Sequence, residues 1–236
     1  ADPEDPMTLV EHAPAPAATV SEQLLELPVR LAQRAAAACL AAMQKREDTL
    51  TPVLNYAYFD GAQLMSTDRH RIAQFSLPET LEAPDDRLVY GAGFLVSRVA
   101  LIWATKVKPA KRYPLVTMSD GGDTIRFERT EHGLTVSLVN QFGNIEDSAI
   151  FPYPADEPHY PPVNNLVARW APAAASAPET LDPRLFADFL TFATKHAVDG
   201  VFSVEHGEAK SERTPGPTKV TAGGAVFLIQ PKRPLR

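Results

Sequence analysis

Three times along this chain an amphipathic helical pattern is followed by a run of short strand patterns. The helical periods fall at 28–46, 94–107 and 182–196. Strand-like runs follow the first at 52–59, 62–66 and 70–77, with Asp60-Gly61 as a hairpin turn. They follow the second at 113–119, 123–129 and 133–142, with turns at Gly121-Gly122 and His132-Gly133. They follow the third at 200–206 and 224–230. A lone helix with a small meander cannot bury its own apolar face, so units of this kind must pack on one another. The sequence therefore predicts an internal structural repeat, although the letters of the repeats barely agree.

The helices are more informative than their positions. Pro28 suits a first helical turn, and Glu22 and Glu26 just upstream suit the positive end of a helix. At about 100° per residue, Arg30, Arg34 and Lys45 fall on one side, with Ala37 and Ala41 between them. Leu31, Ala35, Cys39, Ala42 and Met43 take the other sides. Arg98 and Lys106 share a side of the second helix, which Pro109 ends. Asp182 and Pro183 open the third, whose polar face carries Arg184, Asp188, Thr191 and Lys195.

Charge follows the same division. Residues 28–46 hold four basic and no acidic residues, and residues 93–112 hold five and none. With −6 overall and +9 in those two segments, the rest of the chain carries −15. An acidic body with two purely basic segments predicts a polyanion met on one surface; solvated basic helix faces are the alternative.

Several function classes drop out. There is no phosphate-cradling glycine loop, dinucleotide fingerprint, HExxH or nucleophile elbow. The six histidines lack metal-ligand spacing, and the single Cys39 excludes an internal disulfide. No cofactor or metal is expected, and no apolar run is long enough for a membrane span, so a cytoplasmic protein is expected. Asp68 and His70 could pair as acid and base, but no nucleophile or oxyanion donor stands beside them, which argues against an enzyme. Residues 1–20, rich in Pro and Ala, read as a flexible arm, with Met7 a candidate native start. Residues 152–178 carry seven prolines and read as an irregular passage and linker.

Against this background four motifs stand in order. "STDRHRIAQFSLP" resembles the Thr-Asp-Gly-His-Arg-Leu-Ala segment in the middle domain of the bacterial DNA polymerase III beta subunit, the sliding-clamp family. "YGAGFLVSRVALIWATK" is similar to that domain's second helix, and "YPPVNNLV" to its closing Tyr-Pro stretch. "AVFLIQPKRPLR" resembles the family's C-terminal strand and tail. The resemblance spans about residues 21–236. It implies an α+β DNA-clamp fold of repeated helix-plus-antiparallel-strand halves that form a ring by oligomerisation, with a clamp domain over 21–168, a linker over 169–180 and a half domain over 181–236.

What the resemblance implies is a DNA sliding clamp, a non-catalytic processivity factor. Its helices line a hole around duplex DNA, touching phosphates without sequence preference. The implied DNA-facing residues are Arg30, Arg34, Lys45, Arg46, Arg98, Lys106, Lys108, Arg184 and Lys195. The implied groove for a linear peptide of polymerases and clamp loaders is Thr67, Arg69, His70, Arg71 and Ile72 with Pro161, Leu166, Leu228, Gln230 and Pro231. The local alternative is that His70 and Arg71 merely cap a hairpin and pair with Asp68. Arg69 stands where the family usually has glycine, and Gln230 replaces a methionine. Clamp rings of the family contain twelve helix-led halves, so three per chain implies a homotetramer with head-to-tail interfaces. The rival reading is a clamp-fold peptide-binding adaptor or regulator that never encircles DNA.

Overall fold

In a computed structural model of the chain, the residues described are 24–46, 48–77, 93–108, 122–154, 159–172, 182–196, 201–208 and 216–231. The expected arm at 1–20, the strand at 113–119 and most of the expected linker lie outside them.

The first unit begins with a strand rather than with the helix. Strand β1 (Leu24–Pro28) alternates Leu25 and Leu27 into the core with Glu26 outward. Glu26 therefore does not cap a helix. It accepts from Thr124 Oγ1 at 2.5 Å and from Arg126 Nε at 2.8 Å across the sheet. Helix α1 (Val29–Ala42) follows, with Pro28 as its cap residue and Met43 already extended. It stops short of the expected 46, so Lys45 and Arg46 lie beyond it. A 3-10 turn (Pro52–Asn55) then leads into the meander β2 (Tyr56–Phe59), β3 (Gln63–Thr67) and β4 (Arg71–Ser76).

The second unit repeats this order. Strand β5 (Phe94–Ser97) precedes α2 (Arg98–Lys106), whose first turn is capped by Ser97 Oγ accepting from Ala100 N. The expected helix at 94–107 therefore loses its first turn to a fully buried strand. Strands β6 (Thr124–Thr130), β7 (Gly133–Val139) and β8 (Ile145–Phe151) form the second meander. β8 was not expected. A short helix α3 (Val163–Ala168) lies in the proline-rich passage. The third unit runs α4 (Pro183–His196), β9 (Ser203–His206), β10 (Thr218–Ala222) and β11 (Ala225–Ile229), with β10 again unforeseen.

The first two units exchange their leading strands. β1 joins the second meander to give the sheet β1-β6-β7-β8, and β5 joins the first to give β5-β2-β3-β4. The same strand order arises in both, which makes the pair a structural duplication. The third meander extends the first sheet edge to edge, because β11 runs antiparallel to β4 over five residue pairs from Ala225–Phe75 to Ile229–Arg71. The result is a seven-stranded sheet, β5-β2-β3-β4-β11-β10-β9.

The helices lie side by side on these sheets, α1 between α2 and α4. That position explains the run RAAAACLAA. A helix with a sheet beneath it and a helix on either flank has room for methyl groups and little more. Ala32, Ala35, Ala36, Ala38, Cys39 and Ala42 are all buried. Phe227 of β11 packs its ring against Phe189 and Phe192 of α4, at 5.1 and 5.3 Å between centroids. Helix α4 is thereby fixed to the common core.

Candidate functional site

The turn between β3 and β4 is built by its own side chains. Asp68 Oδ1 accepts from the backbone N–H groups of His70 (3.0 Å) and Arg71 (2.8 Å). Thr67 Oγ1 donates to the Arg71 carbonyl at 2.7 Å and accepts from Arg69 N at 3.2 Å. Arg69 has φ 75°, the left-handed region in which a Cβ is disfavoured. Its guanidinium bonds Thr51 Oγ1 and lies 3.4 Å from Asp48.

Arg71 is buried, and three of its five N–H donors are engaged. Its Nε and Nη2 donate to Asp68 Oδ2 at 2.9 and 2.7 Å, and its Nη1 donates to Asp188 Oδ2 on α4 at 2.8 Å. Burial alone would lower its pKa, but the hydrogen bonds and charges of Asp68 and Asp188 outweigh that and raise it. Desolvation pushes the Asp188 carboxyl up, and the hydrogen bonds and charges of Arg71 and Lys45 overcome it, so the group sits below the ordinary carboxylate range. Arg71 thus braces the turn against the third unit. Asp68 is likewise committed, which removes the acid–base pair considered from sequence.

The turn meets β11 directly: Gln230 N donates to the His70 carbonyl at 2.8 Å. Because Phe227 faces α4, alternation sends Leu228 to the outer face of the sheet. There Leu228 stands opposite Ile72, which in turn stands opposite Thr67. Thr67, Ile72 and Leu228 make a row across three strands. Arg69, His70 and Gln230 are exposed beside it, Ile72 is half-buried, and Leu228 and Pro231 are buried. Pro161 and the exposed Leu166 belong to the segment that covers β3. There the Tyr160 ring stacks on Tyr58 at 5.4 Å, and its hydroxyl donates to the Met65 carbonyl at 3.4 Å. Burial raises the Tyr160 pKa, so the phenol keeps its proton. The structure thus gathers the 67–72 turn and the 228–231 strand, and sets Pro161 and Leu166 on the neighbouring strand.

On the opposite, helical side, the basic residues separate into free and committed groups. Arg30 is exposed and Arg34 half-buried on α1, along the stripe that also holds Ala37 and Ala41. Arg98 is half-buried and Lys106 and Lys108 are exposed on and after α2; Lys195 is exposed on α4. Lys45 pairs with Asp188 at 3.0 Å although its side chain is 76% exposed. Arg184 pairs with Asp182 at 2.9 Å. Arg46 is exposed beyond the end of α1. Burial, together with the charges of Lys195 and of Arg34 on the neighbouring α1, lowers the His196 pKa at the end of α4.

Among the described residues no helix is long and apolar enough to cross a membrane, and no group of three or more metal-ligating side chains is found. No protein-family model matches the sequence, and no curated protein matches it. Solved structures do match. The sliding clamp (DNA polymerase III subunit beta) of Bartonella birtlesii, bound to griselimycin, superposes with a TM-score of 0.52 at 11% identity over 90% of this chain. The polymerase sliding clamp of Pseudomonas aeruginosa, with ligand, gives 0.51 at 12% identity, also over 90%. The fold is that of the sliding clamps. The chain spans 66% and 65% of those two proteins, just under two thirds. Within that fold the first two units exchange their leading strands, and the third joins the first sheet at the β4–β11 joint.

Two features of the site were not visible in the residues that suggested it. Asp188 was read as one polar residue on a helix face, yet it fixes the turn from 117 positions away. Asp48 and Thr51, which seat Arg69, carried no motif; they belong to a loop closed by Asp48 N donating to Asn55 Oδ1 at 2.7 Å.

Proposed function

We propose that the protein is a DNA sliding clamp that acts by topology rather than catalysis, as a homo-oligomeric ring around duplex DNA. The observation that supports this best is the set of basic side chains on one layer of adjacent helices. Arg30 and Arg34 lie at the centre, flanked by Lys106 on α2 and Lys195 on α4. Cations spaced along adjacent helices meet phosphates at many equivalent positions, which is what motion along a duplex requires. The row Thr67–Ile72–Leu228, rimmed by Arg69, His70 and Gln230, is the proposed seat for a linear peptide of a polymerase or clamp loader. An apolar strip with a polar rim can bury an anchor side chain while holding the peptide backbone.

The test is binding of a short linear duplex followed by fluorescence anisotropy across a salt series. Weak binding without sequence preference, lost as salt rises, is the expected result. Tight, sequence-selective binding that persists in salt contradicts it. The second reading, a peptide-binding adaptor that does not encircle DNA, draws on Lys45 and Arg184, whose charges are already met by Asp188 and Asp182. Peptide binding with no DNA response at low salt would favour it.

A further inference from the structure

The row on the outer face of the seven-stranded sheet does not end at Leu228. Residues opposed in antiparallel strands share a face, so Lys219 of β10 continues the row beside Leu228, and Glu205 of β9 follows Lys219. Thr67, Ile72, Leu228, Lys219 and Glu205 therefore cross β3, β4, β11, β10 and β9 in one line. A cation stands directly beside the apolar pair.

That cation is held in place. Lys219 Nζ lies 4.8 Å from the centre of the Trp170 ring, and the indole Nε1 donates to the Pro217 carbonyl at 2.8 Å. Glu208 N fixes the same segment by donating to the Ala171 carbonyl at 3.0 Å. The segment that covers β3 through Tyr160 thus reaches the same face again at β10 through Trp170. The carboxylate paired with Lys219 is Glu205, at 3.3 Å, with side-chain exposures of 29% for the lysine and 48% for the glutamate. So exposed a pair is weak and screened by salt, and an ammonium has three donors, so a second carboxylate can share Lys219 or displace Glu205. Arg69 and His70 flank the other end of the row with basic groups, which favours an acidic ligand over a basic one.

We propose that Lys219 is a specificity-determining residue of this row and selects a linear peptide with an acidic side chain next to its apolar anchor. Opposed residues of antiparallel strands have Cα atoms about 4.5–5.5 Å apart, so the ammonium stands within one long side chain of an anchor seated on Ile72 and Leu228. An extended peptide advances about 3.3 Å per residue, so an acidic residue one or two positions from the anchor reaches Lys219. Its carboxylate gains a charge-assisted hydrogen bond there, whereas an asparagine leaves the ammonium to Glu205. The inference rests on the reading of this row as the peptide seat and adds which peptide the seat prefers.

The experiment is a peptide scan on the full chain, read by fluorescence anisotropy at low salt. The probe is a labelled synthetic peptide with one glutamine and two leucine anchors, made with Asp, Asn or Lys at each position within two residues of an anchor. Wild type should bind the Asp form about three- to fivefold more tightly than the Asn form at one or more of these positions, and the difference should shrink as salt rises. Lys219→Gln should bring the two forms to equal affinity, and Lys219→Glu should turn the preference toward the Lys form. Glu205→Gln removes the competing carboxylate and should widen the Asp preference, which keeps the test open if a Lys219 variant fails to fold. Equal affinity of wild type for the Asp and Asn forms overturns the proposal and leaves the peptide seat standing. So does an Asp preference that survives in K219Q or stays unchanged in E205Q. Failure of every form to bind wild type removes the seat itself, and the proposal with it.

Discussion

Arg71 and Asp188, 117 residues apart, meet at 2.8 Å between Nη1 and Oδ2 and tie the β3–β4 turn to α4. The guanidinium is 8% exposed and the carboxylate 25%, so the pair is shielded from solvent on one side more than the other. Asp188→Asn should destabilise the protein by about 1–3 kcal/mol, because Arg71 keeps Asp68 but loses a charged partner in a partly buried position. Chemical denaturation of the variant against wild type measures this. A change below about 0.3 kcal/mol would show that the pair is incidental.

The same carboxylate gives a pH dependence of known sign. Its folded pKa is depressed, so its contribution is complete above the unfolded value, near pH 4, and is lost as pH falls through the folded value. Stability should therefore decline on acidification below about pH 5, and the decline should be shallower in D188N. Identical slopes for the two proteins would assign the acid sensitivity to other carboxylates.

Arg69 holds φ 75°, which glycine adopts without cost. Arg69→Gly should be neutral or stabilising by up to about 1 kcal/mol, the relieved backbone offsetting the contact of the half-exposed guanidinium to the buried Asp48. Arg69→Val, whose branched Cβ suits that region least, should cost about 1–2 kcal/mol. Equal stability of the two variants, read by thermal unfolding, would mean that the turn relaxes.

Leu228 is 4% exposed, so a charge there would damage the sheet as well as a groove. The half-buried Ile72 beside it is the cleaner probe. Ile72→Ala should weaken binding of a linear peptide carrying a glutamine and two apolar anchors by about tenfold, with the fold retained. Unchanged affinity in a calorimetric titration would remove the row from the site.

The Cys39 thiol is fully buried, and desolvation lifts its pKa to about 12. It should resist alkylation in the native protein at pH 8 and react at the rate of unfolding. Rapid native labelling would mean that α1 separates from its sheet far more readily than its packing implies.

How much of this could be read from the residues follows from how local each signal is. α1 and α4 were legible because their apolar residues recur at helical spacing over several turns. β1 was hidden because Glu22 and Glu26 before a helix suggest dipole pairing, whereas Glu26 faces Arg126 across a sheet. β8, IEDSAIF, lacks alternation because neither of its faces is well covered. β10, TKVTA, alternates cleanly but stands in a stretch rich in turn residues. Of the site, the turn was legible from "TDRHR", since Asp and Thr close such turns locally. The engagement of Arg71 was not, because its partner comes from another unit and depends on β4 meeting β11.

The central claim is that the protein holds DNA by enclosing it. The direct measurement is retention on circular DNA, with the protein assembled on a closed circle at low salt and then challenged with high salt before and after the circle is cut. The account predicts that protein stays on the intact circle in salt that abolishes binding to a short linear duplex, and is released when the circle is linearised. Loss from intact and linear DNA alike at the same salt concentration would contradict it.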